Sequence, residues 1–74
     1  MTLNQLRYFC MASRCHSITK AAEELYVTQP TVSVAIRDLE IEFGGSLFSR
    51  KGNQLILTRE GEEFYQKANY ILQY

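Results

Sequence analysis

The sequence predicts a mainly helical domain: three short helices around a thin core, a small β-hairpin, and the start of a longer fourth helix. Three observations carry this. Apolar residues recur at three- and four-residue spacing in four separate stretches, which is the spacing of one helical face. Between the third and fourth stretches the pattern changes, because "SLFSRKGNQLILT" holds two short apolar runs about the turn "KGNQ". Ser17, Thr28 and Thr58 stand where the last three helices should begin, and Ser and Thr are good N-caps. A chain of 74 residues is one small domain with little core to spare.

Each element has its own grounds. Leu6, Phe9, Cys10 and Ser13 form one face of a first helix over about residues 3 to 14, and Leu3 extends that face back one turn. "RCHS" is a turn. Ser17 caps a short second helix whose inward residues are Ile18, Ala21, Ala22 and Leu25, with Glu23 and Glu24 facing water. "YVT" breaks the chain before a third helix over about residues 29 to 43. Thr28 is its cap, with an oxygen that can take the Thr31 amide, and Pro30 falls in the first turn, where its missing N–H costs nothing. Val32, Ile36, Leu39 and Phe43 make the inward stripe, and Gly44 is the stop. Leu47 and Phe48 return to the core. "FSR" pairs with "LIL" across a turn in which Gly52 and Asn53 can take positive φ. Thr58 caps the fourth helix, Glu60 sits at its positive end, and Phe64, Ala68 and Ile71 run along it, with Tyr65 and Leu72 one position on.

Composition excludes several classes. Apolar residues make up 46% of the chain, too many for a disordered segment. No apolar run approaches the roughly 18 residues of a membrane span, and "MTLNQLRYFC" lacks the order of a signal peptide, so the expected compartment is the cytoplasm and no membrane partner is expected. Formal net charge is zero. The charge is uneven, however: residues 1–59 hold seven Lys/Arg against five Asp/Glu, whereas residues 60–74 hold one Lys against three Glu. A polyanion would prefer the first part. Cys10, Cys15 and His16 do not make a metal site, since Cys and His at adjacent positions rarely chelate together and no fourth ligand appears. One His, no Gly-rich phosphate loop and no plausible triad argue against an enzyme. No cofactor is expected in this domain.

Two helices joined by a tight turn form a helix-turn-helix, and a hairpin after the third helix makes it winged. In such units the last helix lies in the DNA major groove with its N-terminal residues on base edges. Here the core stripe leaves Gln29, Pro30, Ser33, Val34 and Arg37 on another side. Gln can read adenine in two bonds, Val can touch a thymine methyl, and Arg can meet phosphate or guanine. Ser33 and Thr31 can donate to phosphates. Arg50, Lys51 and Asn53 sit on the wing. The same face also fits the solvated side of an ordinary three-helix bundle, or of a winged helix that binds protein. On the residues alone these readings stay open.

The run "SITKAAEELYVTQPTVSVAIRDLE", followed by "FG" and "LFSRKGNQLILTREG", resembles the N-terminal domain of LysR-type transcriptional regulators. The pieces that carry the resemblance are Ala21-Ala22, Leu25, Thr28-Gln29-Pro30, Val32-Ser33, Ile36, Leu39-Glu40, Gly44, Leu47-Phe48, Arg50, Leu57-Thr58 and Gly61, in the family's order across essentially the whole chain. The resemblance implies sequence-specific binding of double-stranded DNA through Thr28, Gln29, Pro30, Thr31, Ser33, Val34 and Arg37, with Arg50, Lys51 and Asn53 on the wing. It implies a winged helix-turn-helix over residues 1–58 and the start of a linker helix over residues 59–74. A small-molecule inducer would bind a further C-terminal domain absent from this chain. It also implies a homodimer on a palindromic operator, through Phe64, Tyr65, Ala68, Ile71, Leu72 and the flanking tyrosines Tyr70 and Tyr74, with a tetramer open to the full-length protein. Four residues depart from the family's habit: Thr28 for Ser, Phe43 for Leu, apolar Val34 on the groove face, and Asn53 where an Arg often stands at the wing tip.

Overall fold

The computed structural model describes residues 1–73, in the order α1 Leu3–Cys15, α2 Ile18–Leu25, α3 Gln29–Phe43, β1 Phe48–Lys51, β2 Gln54–Leu57 and α4 Arg59–Leu72. Tyr74, counted among the interface tyrosines, lies outside the described residues.

α1 starts on a reciprocal cap. The Thr2 hydroxyl accepts the Gln5 N–H at 3.1 Å, and the Gln5 side chain accepts the Thr2 N–H at 3.0 Å. The helix buries Leu6, Phe9, Cys10, Ala12 and Ser13. It runs through Cys15, one residue beyond the expected end, and closes on His16 in the left-handed region with φ 53°. Leu3 does not extend the buried face; it lies in the first turn, beyond the reach of the core, and is exposed. Phe9 is the hub. It has no exposure, and its ring meets Phe48 and Phe64 at 5.1 Å each, edge-on in the case of Phe64.

Ser17 caps α2 by accepting the Lys20 N–H at 3.1 Å, and Ala21 and Ala22 are buried. Two small residues let this short helix approach its neighbours closely. α2 ends at Tyr26, whose backbone is left-handed (φ 59°) and whose side chain is 95% exposed.

The inward stripe of α3 is Val32, Ala35, Ile36 and Leu39. Two expectations need correction here. Phe43 does not plug the core: it is 45% exposed and touches Phe64 edge-on at 5.9 Å, because α3 projects past the core by its last turn. The Thr28 side chain does not cap the amides either. Its hydroxyl pairs with the Thr31 hydroxyl at 2.8 Å, and the Thr31 N–H bonds the Thr28 carbonyl at 3.1 Å instead. Gly44 ends the helix at φ 89°.

β1 and β2 are antiparallel, with Phe48 opposite Leu57 and Lys51 opposite Gln54. The two-residue turn has Gly52 in its first position at φ 62°; Asn53 does not take positive φ, since one glycine suffices to reverse the chain. The hairpin packs on α1 and α4 through β2. At the start of α4 the Thr58 hydroxyl accepts the Gly61 N–H at 3.0 Å and donates to the Ser46 carbonyl at 2.8 Å. Glu60 and Glu62 lie in the first turn, where the helix dipole favours them.

Candidate nucleic-acid interface

With Val32, Ala35, Ile36 and Leu39 turned inward, the opposite side of α3 carries Pro30, Val34 and Arg37 at helical spacing, all exposed. Thr28, Gln29 and Thr31 stand exposed around the helix start, and Ser33 is partly buried at the flank. Val34 is 43% exposed, an apolar residue held in water on the polar face. Arg50, Lys51 and Asn53 are exposed on the wing. Among the described residues, Arg37 and Arg50 make no ion pair, so both charges point to solvent.

The fold brings part of this set together. Ser33 and Arg37 of α3 and Arg50 of β1 line one open cleft of about 250 Å³ between the helix and the wing. Glu40, Ser46 and Ser49, none of them expected at the interface, add polar groups to its lining, and Ile18, Ile36, Phe48 and Leu55 add apolar ones. No helical periodicity could have found the two serines, which lie outside α3. Lys51 and Asn53 stand further out at the hairpin tip.

Glu40 organises the join between the two elements. Its carboxylate Oε2 accepts the N–H of Leu47 at 2.8 Å and of Phe48 at 3.2 Å. Its backbone carbonyl accepts the N–H of Gly44 at 2.8 Å and of Gly45 at 3.2 Å. On the other side, Leu55 of β2 is tied to His16 in the turn between α1 and α2. His16 is exposed, yet its ring nitrogen Nδ1 meets the Leu55 carbonyl, because the left-handed backbone turns it toward β2. Cys10 is buried, and burial pushes its thiol up from the ordinary value while the Arg14 charge pulls the other way. Among the described residues no three His, Cys, Asp or Glu side chains converge on a point where a metal could sit. No described helix is long and apolar enough to cross a membrane.

The residues expected on α4 to meet a second copy divide between the chain's own core and the surface. Phe64, Tyr65, Ala68 and Leu72 pack inward on the chain's own core, with Ala68 only 1% exposed. α4 folds back on α1, and that claims the stripe. Ile71, at 55%, is the exposed member, and beside it stands Tyr70 at 84%. These two, with Glu63, Gln66 and Lys67, line a shallow depression on the outer face of α4.

Comparison with known proteins accords with this architecture. The family described as bacterial regulatory helix-turn-helix protein, lysR family, matches residues 3–62. A RuBisCO operon transcriptional regulator of Allochromatium vinosum is 47% identical over 71 residues, which are 96% of this chain and 24% of that protein. The glycine cleavage system transcriptional activator of Escherichia coli K12 is 49% identical over 63 residues, 85% of this chain and 21% of that protein. The chain thus spans about a quarter of the length of the curated relatives it matches. The crystal structure of the BenM DBD with catB site 1 DNA superposes with a TM-score of 0.93 at 41% identity, covering 99% of this chain and 78% of that one. A helix-turn-helix with a hairpin wing, matched along nearly its whole length, places the chain in the lysR family of bacterial regulatory helix-turn-helix proteins.

Proposed function

We infer that this chain binds double-stranded DNA sequence-specifically, with the first turns of α3 in the major groove and the wing along the neighbouring backbone. One observation carries the reading: α3 is anchored by Val32, Ala35, Ile36 and Leu39 and offers an exposed, slim and polar start, Thr28 to Thr31, leading to the cation Arg37. Gln29 reads a base edge, Val34 contacts an apolar base surface, and Thr31, Ser33 and Arg37 hold phosphates. Arg50, Lys51 and Asn53 serve the wing contact. The relatives named as transcriptional regulators, and the DNA-bound BenM DBD, support the same reading.

The test is selection of bound duplexes from a random DNA pool, followed by titration across salt. Affinity should fall by about a factor of ten or more between 50 and 200 mM salt, because neutralised phosphates release counterions. No enriched sequence, or an affinity indifferent to salt, would contradict the reading.

The rest of the proposal concerns the whole protein. Residues 1–58 form the DNA-reading unit and residues 59–74 begin a linker helix. Two copies pair through the outer face of α4, around Tyr70 and Ile71, and set two α3 helices on half-sites of a palindromic operator about one DNA turn apart. The protein acts in the cytoplasm as a regulator rather than an enzyme. Its small-molecule inducer binds in the portion beyond this chain, and the full-length protein can assemble further into a tetramer. This domain itself uses no cofactor.

A further inference from the structure

We propose that Glu40 is a positioning residue for DNA binding: it sets the orientation of the wing relative to α3 by accepting four backbone N–H groups, three in the four-residue connection between them and one at the first residue of β1. This rests on the DNA-binding reading above and adds a residue that does not itself touch DNA. The four donors are Gly44 and Gly45, held by the Glu40 carbonyl, and Leu47 and Phe48, held by the single carboxylate oxygen Oε2. The carbonyl bonds belong to any helix end that stops on a left-handed glycine. The carboxylate bonds do not. They reach seven and eight residues forward and fix where the chain leaves the helix.

Three features make this a device for alignment. The connection begins with Gly44 and Gly45, and Gly44 is left-handed at φ 89°, so the backbone itself offers little stiffness. Apart from the apolar core that Phe48 and Leu55 share with Ile36 and Leu39, β2 packs on α1 and α4, and an open cleft lies between the wing and α3, so the carboxylate bonds tie the wing to the recognition helix directly. Leu47 is wholly buried and Phe48 nearly so, and removing the carboxylate takes from their N–H groups the acceptor that fixes their direction. A lever argument gives the scale. A strand of four residues reaches about 13 Å, so a swing of about 10° moves the wing tip by about 2 Å, enough to break a hydrogen bond. Glu40 lies in the same cleft as Arg37 and Arg50 and pairs with neither, so spending it on backbone leaves both guanidinium groups free for phosphate.

The experiment is a double-mutant cycle on a duplex selected by the wild-type chain. Glu40→Ala is combined with Lys51→Ala at the wing, and separately with Gln29→Ala at the start of α3. Folding of every variant is checked by circular dichroism. Glu40→Ala should weaken binding by about tenfold and flatten the salt dependence, as loss of the wing cations would. Lys51→Ala should weaken the wild-type chain several-fold but cost nothing more once Glu40 is gone, while Gln29→Ala should add its full cost in either background. Glu40→Gln, which keeps an acceptor oxygen, should recover much of the affinity. If Glu40→Ala does not fold, Glu40→Asp takes its place, since it keeps the charge and draws the carboxylate back by one methylene. Additive effects of Glu40 and Lys51 would overturn the proposal while leaving DNA binding intact. So would a Lys51→Ala variant that binds as the wild type does. A wild-type chain that selects no duplex would instead overturn the DNA-binding reading.

Discussion

His16 and Leu55, 39 residues apart, face each other with two backbone-directed hydrogen bonds. The Leu55 N–H donates to the His16 carbonyl at 3.0 Å, and His16 Nδ1 lies 3.1 Å from the Leu55 carbonyl. That carbonyl can only accept, so Nδ1 carries a proton. The pair staples β2 to the turn between α1 and α2. His16→Ala removes the ring bond and puts alanine at φ 53°, and should cost about 1–2 kcal/mol. Urea unfolding measures it. An unchanged midpoint would mean that the staple contributes nothing.

Tyr26 holds a left-handed backbone with no packing to justify its bulk: its side chain is 95% exposed. Glycine suits that φ better. Tyr26→Gly should therefore stabilise the fold by about 0.5–1 kcal/mol, after the extra entropy of glycine in the unfolded chain is deducted. A thermal melt decides the matter, and a lowered midpoint would contradict it.

Gly61 is helical, yet alanine should not improve it. A Cβ there would run into the Leu47 carbonyl, which is main chain and already holds the Thr58 N–H at 3.0 Å. Gly61→Ala should destabilise by about 2 kcal/mol or more, against the roughly 1 kcal/mol gained from helix propensity. Denaturant titration that finds the variant more stable would show that α4 and the chain at Leu47 can move apart freely.

Burial raises the Cys10 thiol above its ordinary value, with Arg14 opposing. The folded state thus holds this proton more tightly than the unfolded state does. The contribution is complete below the ordinary thiol value and is lost as pH rises through the raised one. Stability should fall along that alkaline window, and Cys10→Ala should flatten the fall, as a pH series of unfolding midpoints would record. A thiol reagent at neutral pH should label Cys15 first and Cys10 only on unfolding, because Cys15 is partly exposed and Cys10 is wholly buried. Equal labelling rates would contradict the burial.

The elements were legible because their signals are local. The caps at Ser17 and Thr58, the stop at Gly44 and the turn at Gly52 each declare themselves within a few residues. The exposed start of α3 was legible by subtraction, once Val32, Ile36 and Leu39 were assigned inward. What failed to show depends on distant partners. Phe43 looked like core because periodicity cannot tell where a helix outruns the body it packs on. Ala68 looked available because nothing in the sequence shows α4 folding back on α1. The partners of Glu40 at Leu47 and Phe48 appear only when the chain turns back after Gly44 and Gly45.

The central claim is that the first turns of α3 read DNA sequence, and base preference tests it most directly. Affinities of the wild-type, Gln29→Ala and Ser33→Ala chains are measured on a selected duplex and on its single-base-pair variants. Gln29→Ala should lose about 1–3 kcal/mol of discrimination at one position and keep it elsewhere, while Ser33→Ala weakens every duplex alike. A Gln29→Ala chain with the wild-type base preference at every position would contradict the account.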